Sequence, residues 1–172
     1  MKIEKVISEI KEVLKDFGED EFEKLYSLIK KSERVFVCGA GRSGLIGRCF
    51  AMRLRHLGKE SYVVGETICP PIKEKDLLII ISYSGEKKSI IPICEIAKDK
   101  KAKTLILTSS KDSYLSNIAD EKIIFKKIKS LQFGNSSFEQ AVFIFLESFV
   151  LYYMEKSKIS EEFMKDRHTN LE

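Results

Sequence analysis

No apolar run in this 172-residue chain approaches the roughly 20 residues a membrane-spanning helix needs. Met1 leads into Lys2, Glu4 and Lys5 rather than into an apolar leader, so a cytoplasmic protein without membrane contact is expected. Excess charge is lacking too: 30 Lys and Arg stand against 26 Asp and Glu, leaving +4 on a chain that is 33% charged. That balance implies no strongly basic surface, and nucleic acid is not expected as a partner. The four cysteines, Cys38, Cys49, Cys69 and Cys94, show no CxxC spacing. Neither a zinc knuckle nor a dithiol redox motif is present, and they read as small buried apolar residues. Internal repeats, low-complexity tracts and Pro/Gly/Ser-rich linkers are missing, so nothing divides the chain. Its length and 44% apolar content suit one domain with a substantial core.

What is there begins with two amphipathic stripes, Ile3 to Leu14 and Phe22 to Ile29, each spaced as a helix. Gly18 and Asp20 mark the break between them. From Arg34 the pattern changes to short apolar runs: Val35–Cys38, Ser61–Val64, Leu77–Ile81, Thr104–Leu107 and Ile123–Phe125. Helical stretches alternate with these, Leu45–Leu57, Ser89–Asp99 with Pro92 in its first turn, and Tyr114–Ala119. The alternation predicts an α/β protein, a parallel five-stranded sheet covered on both faces. A last helix, about Ser137 to Lys156, is apolar over too wide an arc for one-sided burial and is expected to pack on the sheet and on another subunit.

Chemistry is sought in the loops after the strands, because ligands of open α/β sheets bind outside the strands' carboxyl ends. Gly39-Ala40-Gly41-Arg42-Ser43-Gly44 follows the first strand and opens a helix, where glycines admit an anion to backbone N–H groups. The string also fits GxGxxG, with Glu66 about twenty residues on, so phosphate and dinucleotide sites are both open at this point. Ser82-Tyr83-Ser84-Gly85-Glu86-Lys87 after the third strand favours phosphate. Two hydroxyls, a glycine, amides and a lysine suit a phosphate monoester, and a dinucleotide does not call for a second such loop. A nicotinamide-dependent oxidoreductase therefore rests on one motif alone. Glu66 precedes paired prolines that stiffen its loop. Glu139 falls in the first turn of the long helix, where a carboxylate complements the macrodipole or completes a capping box with Ser136 or Ser137. His56 suits a helix C-terminus, and His168 lies on a tail where fraying is usual.

Together, Phe36-x-x-Gly39-x-Gly41-Arg42-Ser43-Gly44, Phe50-Ala51-Met52-Arg53-Leu54, Gly65-Glu66-Thr67, Ser82-x-Ser84-Gly85, Phe138-Glu139 and His168-x-Asn170-Leu171-Glu172 resemble the 6-phospho-3-hexuloisomerases, proteins with a sugar isomerase (SIS) domain. The resemblance implies a three-layer sandwich of flavodoxin-like strand order. Residues 1–172 would form a single SIS domain, with 1–31 a helical extension and 32–172 the α/β core, C-terminal helix and tail. It implies a homo-oligomer, usually a tetramer, that interconverts D-arabino-hex-3-ulose 6-phosphate and fructose 6-phosphate with no metal or organic cofactor. Formaldehyde fixation or pentose phosphate synthesis would use the reaction. Carried over by position, Gly41, Arg42, Ser43, Glu66 and the loop Ser82, Tyr83, Ser84, Gly85, Glu86 and Lys87 would bind the phosphosugar. Glu139 would accept the proton, and His168, reaching a neighbouring subunit, would assist.

The chain departs from the family at Tyr83, where a glycine is usual, at Lys87, where a threonine is usual, and before Glu139, where it is one residue longer. A non-catalytic phosphosugar-binding module and an isomerase of a different phosphosugar are the alternative readings, since SIS folds host both roles.

Overall fold

The structure, a computed structural model, describes residues 1–171. In chain order it contains α1 (Lys2–Leu14), α2 (Glu19–Lys31), β1 (Val35–Gly39), α3 (Arg42–His56), β2 (Ser61–Val63), β3 (Leu77–Ile81), α4 (Ile91–Asp99), β4 (Lys103–Thr108), α5 (Tyr114–Ile118), β5 (Glu121–Ile124), a 3-10 turn (Phe133–Asn135), α6 (Ser136–Ser157) and α7 (Glu161–Lys165). The five strands form one parallel sheet in the order β2-β1-β3-β4-β5. The expected architecture and strand order are therefore observed.

Successive side chains of a strand point to opposite faces, and a sheet buried on both faces needs apolar residues at every position. β3, Leu77–Ile81, is buried throughout. Val35, Val37, Leu77, Ile79, Leu105 and Leu107 pack on one face with residues of α1, α2, α3 and α6. Phe36, Cys38, Leu78, Ile80 and Ile106 fill the other with Cys94 and Ala97 of α4 and Leu115 of α5. The N-terminal helices belong to the first of these layers. Phe17, in the turn between α1 and α2, lies with ring centroids 4.7 Å from Phe125 and 5.0 Å from Phe145, and Phe22 of α2 lies 5.1 Å from Phe145. The stripe of α6 that meets them includes Phe138, Val142, Phe145, Phe149 and Tyr153, while Phe143, Ile144 and Leu151 stay exposed on the same helix.

Several local expectations are corrected. β2 ends at Val63 and β5 runs over Glu121–Ile124, one or two residues from the apolar runs that suggested them. α3 begins at Arg42, directly after Gly41, rather than at Leu45. Of the cysteines, Cys38 and Cys94 are buried, and burial pushes their thiols up to about 12 and about 11, which keeps them protonated. Cys69 is half-buried and Cys49 is exposed, because the stripe of α3 facing the sheet runs through Gly47, Phe50, Ala51 and Leu54 and position 49 turns away from it. The tail forms α7, capped by Ser160, whose hydroxyl accepts from the Phe163 N–H at 3.1 Å. Among the described residues no helix is long and apolar enough to cross a membrane.

Candidate functional site

The two glycine loops start side by side. Gly39 and Ile81 are register partners on adjacent strands, so the chains leaving β1 and β3 begin one interstrand spacing apart, about 4.8 Å. In the first loop the backbone folds tightly on itself. A Cβ on Gly44 would stand 2.6 Å from the Gly39 carbonyl oxygen, and Gly41 caps α3 with φ +59°. That conformation leaves the first N–H groups of α3 at the mouth of the loop, with Ser43 buried beside them. In the second loop Gly85 has φ +66°, and its N–H donates to the Ser82 hydroxyl at 3.2 Å. The Glu86 N–H donates to Ser84 Oγ at 3.2 Å, and Glu86 Oε1 accepts from the Tyr114 N–H at 2.7 Å, which ties the loop to α5. Ser84, Glu86 and Lys87 are exposed.

Tyr83 does not need the left-handed backbone a glycine would allow. Its carbonyl accepts from the Thr108 hydroxyl and the Ser109 N–H, both at 3.1 Å. Its ring turns toward the core edge-on to Phe138, at 5.4 Å and 70°, with the Lys127 ammonium 5.8 Å from its centroid. The tyrosine therefore joins the second loop to the start of α6.

Glu139 stands on that start. The 3-10 turn delivers the chain through two left-handed residues, Gly134 and Asn135 at φ +67° and +63°, and Asn135 caps α6 without a side-chain hydrogen bond. The expected capping box is absent, because the Ser136 hydroxyl donates instead to the Phe133 carbonyl at 2.7 Å. Arg42 reaches across from α3. Its Nη1 donates to Ser136 Oγ at 2.5 Å, and its Nε lies 2.9 Å from Glu139 Oε2. The latter contact is close in charge but not aligned as a hydrogen bond, so Oε2 has no hydrogen-bond donor among the described residues. The Glu139 side chain is 14% exposed and that of Arg42 52%. Burial raises the Glu139 carboxyl above its ordinary value, and the Arg42 charge opposes the rise. Beside the pair runs a groove of about 550 Å³ walled by Ile10, Leu45, Ile46, Gln140 and Phe143.

Two predicted residues have other partners within the protomer. Glu66 pairs with Arg48 on α3 rather than joining Arg42 and Glu139. His168 lies against buried His56, ring centroids 5.1 Å apart and planes tilted by 31°, at the C-terminal end of α3. Arg42 begins that helix and His56 ends it, which at 1.5 Å per residue separates the two ends by about 21 Å. Within one protomer His168 and Glu139 do not meet. Leu171 is exposed, and Glu172 of the closing motif lies outside the described residues. Sequence reading passed over Ser109, which follows β4 at a carboxyl end beside the second loop and whose buried hydroxyl has no hydrogen-bond partner among the described residues. The serine-rich run Thr108-Ser109-Ser110 at a strand end was the available signal. No group of three or more potential metal ligands is assembled among the described residues.

The SIS domain model matches residues 28–142. The 3-hexulose-6-phosphate isomerase of Bacillus subtilis is 35% identical over 179 residues, covering 99% of this chain and 97% of that protein. That of Methanocaldococcus jannaschii is 38% identical over 158 residues, covering 91% and 87%. A crystal structure of a Methanococcus jannaschii protein, inferred to be a 3-hexulose-6-phosphate isomerase, superposes with a TM-score of 0.88 at 36% identity over 99% of each chain.

Proposed function

The chain belongs to the SIS domain family, among the 3-hexulose-6-phosphate isomerases, and we propose that it interconverts D-arabino-hex-3-ulose 6-phosphate and fructose 6-phosphate with Glu139 as its base. The observation that carries this reading is the half-buried Glu139 carboxylate, held against Arg42 beside the two glycine loops.

Moving a carbonyl from carbon 3 to carbon 2 requires a proton to leave carbon 2 and return to carbon 3. Glu139 takes the proton from carbon 2, and the released electron pair forms the double bond of an enediolate. Negative charge develops on the former carbonyl oxygen, where the Arg42 guanidinium stabilises it. A proton passes from the carbon-2 hydroxyl to the carbon-3 oxygen, and the protonated Glu139 delivers its own proton to carbon 3 while the carbonyl re-forms at carbon 2. The phosphate, held by Ser43, the N–H groups of α3 and the Ser82–Lys87 loop, fixes the sugar for both transfers. Residues 1–172 act as one domain in the cytoplasm. Phe143, Ile144 and Leu151, uncovered on α6, support assembly into a tetramer in which His168 of one subunit serves a neighbour's site. Light scattering that returns a monomer at micromolar concentration would overturn that arrangement.

The test generates the hexulose phosphate in place, from formaldehyde and ribulose 5-phosphate with an added synthase, and follows fructose 6-phosphate. Rapid conversion is expected; tight phosphosugar binding without product would leave a binding module instead. A pH profile adds a signed expectation. Only deprotonated Glu139 accepts a proton, and burial has raised its pKa, so kcat/KM should fall with decreasing pH along an acid limb above the ordinary carboxylate value. Arg42 opposes that rise, so Arg42→Met should move the limb further up. A limb at the ordinary value in both proteins would contradict the assignment.

A further inference from the structure

Glu9 lies on the polar side of α1, outside the segment matched by the SIS domain model. Such a glutamate usually faces water, yet this one is occupied on both oxygens. Oε1 accepts from the Leu131 N–H at 2.6 Å, and Oε2 accepts from the Ser130 hydroxyl at 2.7 Å and from Gln132 Nε2 at 3.0 Å. These hydrogen bonds, that of Leu131 foremost, hold its carboxyl below the ordinary range. Gln132 passes the contact on. Its Nε2 also donates to Gln140 Oε1 at 3.0 Å, and its Oε1 accepts from Gln140 Nε2 at 3.0 Å. Gln140 follows Glu139 in the first turns of α6 and lines the same groove, as does Ile10 of α1.

Between the gripped residues and Glu139 stand Gly134 and Asn135, both left-handed, with Phe133 exposed to 96% beside them. A non-glycine residue in that conformation is unfavourable on its own and persists where surrounding contacts determine it. Few contacts are offered by Phe133, so the restraint comes from the flanking residues. We propose that Glu9 is a positioning residue for Glu139: by gripping residues 130–132 and, through the Gln132–Gln140 amide pair, the start of α6, it fixes where the Glu139 carboxylate stands against Arg42. Its catalytic consequence rests on the isomerase reading above.

The proposal is tested on the full chain with Glu9→Ala and Glu9→Gln. Glu9→Ala is expected to lower kcat about tenfold, with KM within about twofold and the acid limb displaced, as misplacement of a reacting group does. Glu9→Gln, which loses the charge but keeps an oxygen to accept from the Leu131 N–H and turns an NH2 toward the Ser130 hydroxyl and the Gln132 amide, either of which can turn to accept, is expected to restore most of kcat and the limb. Amide hydrogen exchange from 131 to 137 should quicken in Glu9→Ala alone. An unchanged kcat and limb in Glu9→Ala, or a loss that Glu9→Gln does not restore, overturns the proposal. A wild-type chain that does not convert the hexulose phosphate would remove the isomerase reading but leave this one decidable. The Glu139 carboxyl can then be titrated by NMR: displacement in Glu9→Ala and not in Glu9→Gln supports the positioning role, and no displacement in Glu9→Ala overturns it.

Discussion

Glu139→Gln is expected to lower kcat by about 10³-fold, within the range removed with a general base, while phosphosugar binding persists. Glutamine keeps the shape of the side chain but accepts no carbon-bound proton at neutral pH. On the roles proposed above, the phosphate contacts come from other elements, β1 to α3 and β3 to α4, so KM should stay within severalfold of the wild-type value. Folding should also survive. The substitution removes a half-buried charge whose Oε2 has no aligned donor, and the Arg42 guanidinium it leaves is half exposed to water and still donates to Ser136. The coupled assay reads the rate and calorimetry the binding. A variant with more than about a tenth of wild-type turnover would take Glu139 out of the mechanism, since losing a base costs at least about 10²-fold.

Gly85→Ala should be the most damaging single methyl group in the second loop. A Cβ there would stand 1.9 Å from Ser113 Oγ and 2.6 Å from Ser113 Cβ, at a φ of +66° that side chains rarely adopt. Ser113 cannot simply retreat, because it is buried and caps α5, and the Leu115 N–H donates to the Gly85 carbonyl at 3.0 Å. Backbone strain of about 1–3 kcal/mol and overpacking of about 1–3 kcal/mol sum to a loss near 4 kcal/mol. For a chain of this size that lowers Tm by about 8–16 °C. The phosphosugar KM should rise as well, because the Gly85 N–H and the Ser82 hydroxyl move with the loop. A thermal melt within about 2 °C of wild type would show that α5 yields at small cost and that the loop is softer than its geometry implies.

The sheet was legible because β1 and β3 are unbroken apolar runs and the other strands carry shorter ones, and the two loops because glycines and hydroxyls cluster just where the runs of β1 and β3 end. Strand order was not written in those local patterns and came from the family resemblance. The Arg42–Glu139 pair was invisible for a similar reason: each residue has an ordinary local explanation, a helix-start arginine and a first-turn carboxylate, and only the packing of α3 beside α6 brings them together. Glu66 shows the converse. Its stiff loop suggested a place in the pocket, yet Arg48, on another side of α3 from Arg42, claims it. α7 was missed because five residues carry too little periodicity, and it persists through its Ser160 cap and the packing of Phe163 beside Gly58.

The grip of Glu9 on residues 130–132 joins groups 121 to 123 positions apart in the chain. A ribosome adding about 5–20 residues per second needs on the order of 6–24 s to make that stretch. All five strands are complete by Ile124, before any partner of Glu9 has been made. On the roles assigned above, a nascent chain stalled near residue 130 already owns both phosphate loops but has no base. Synthesis therefore makes the residues of both loops first and the proposed base last, with the earliest helix waiting for the segment that completes its work.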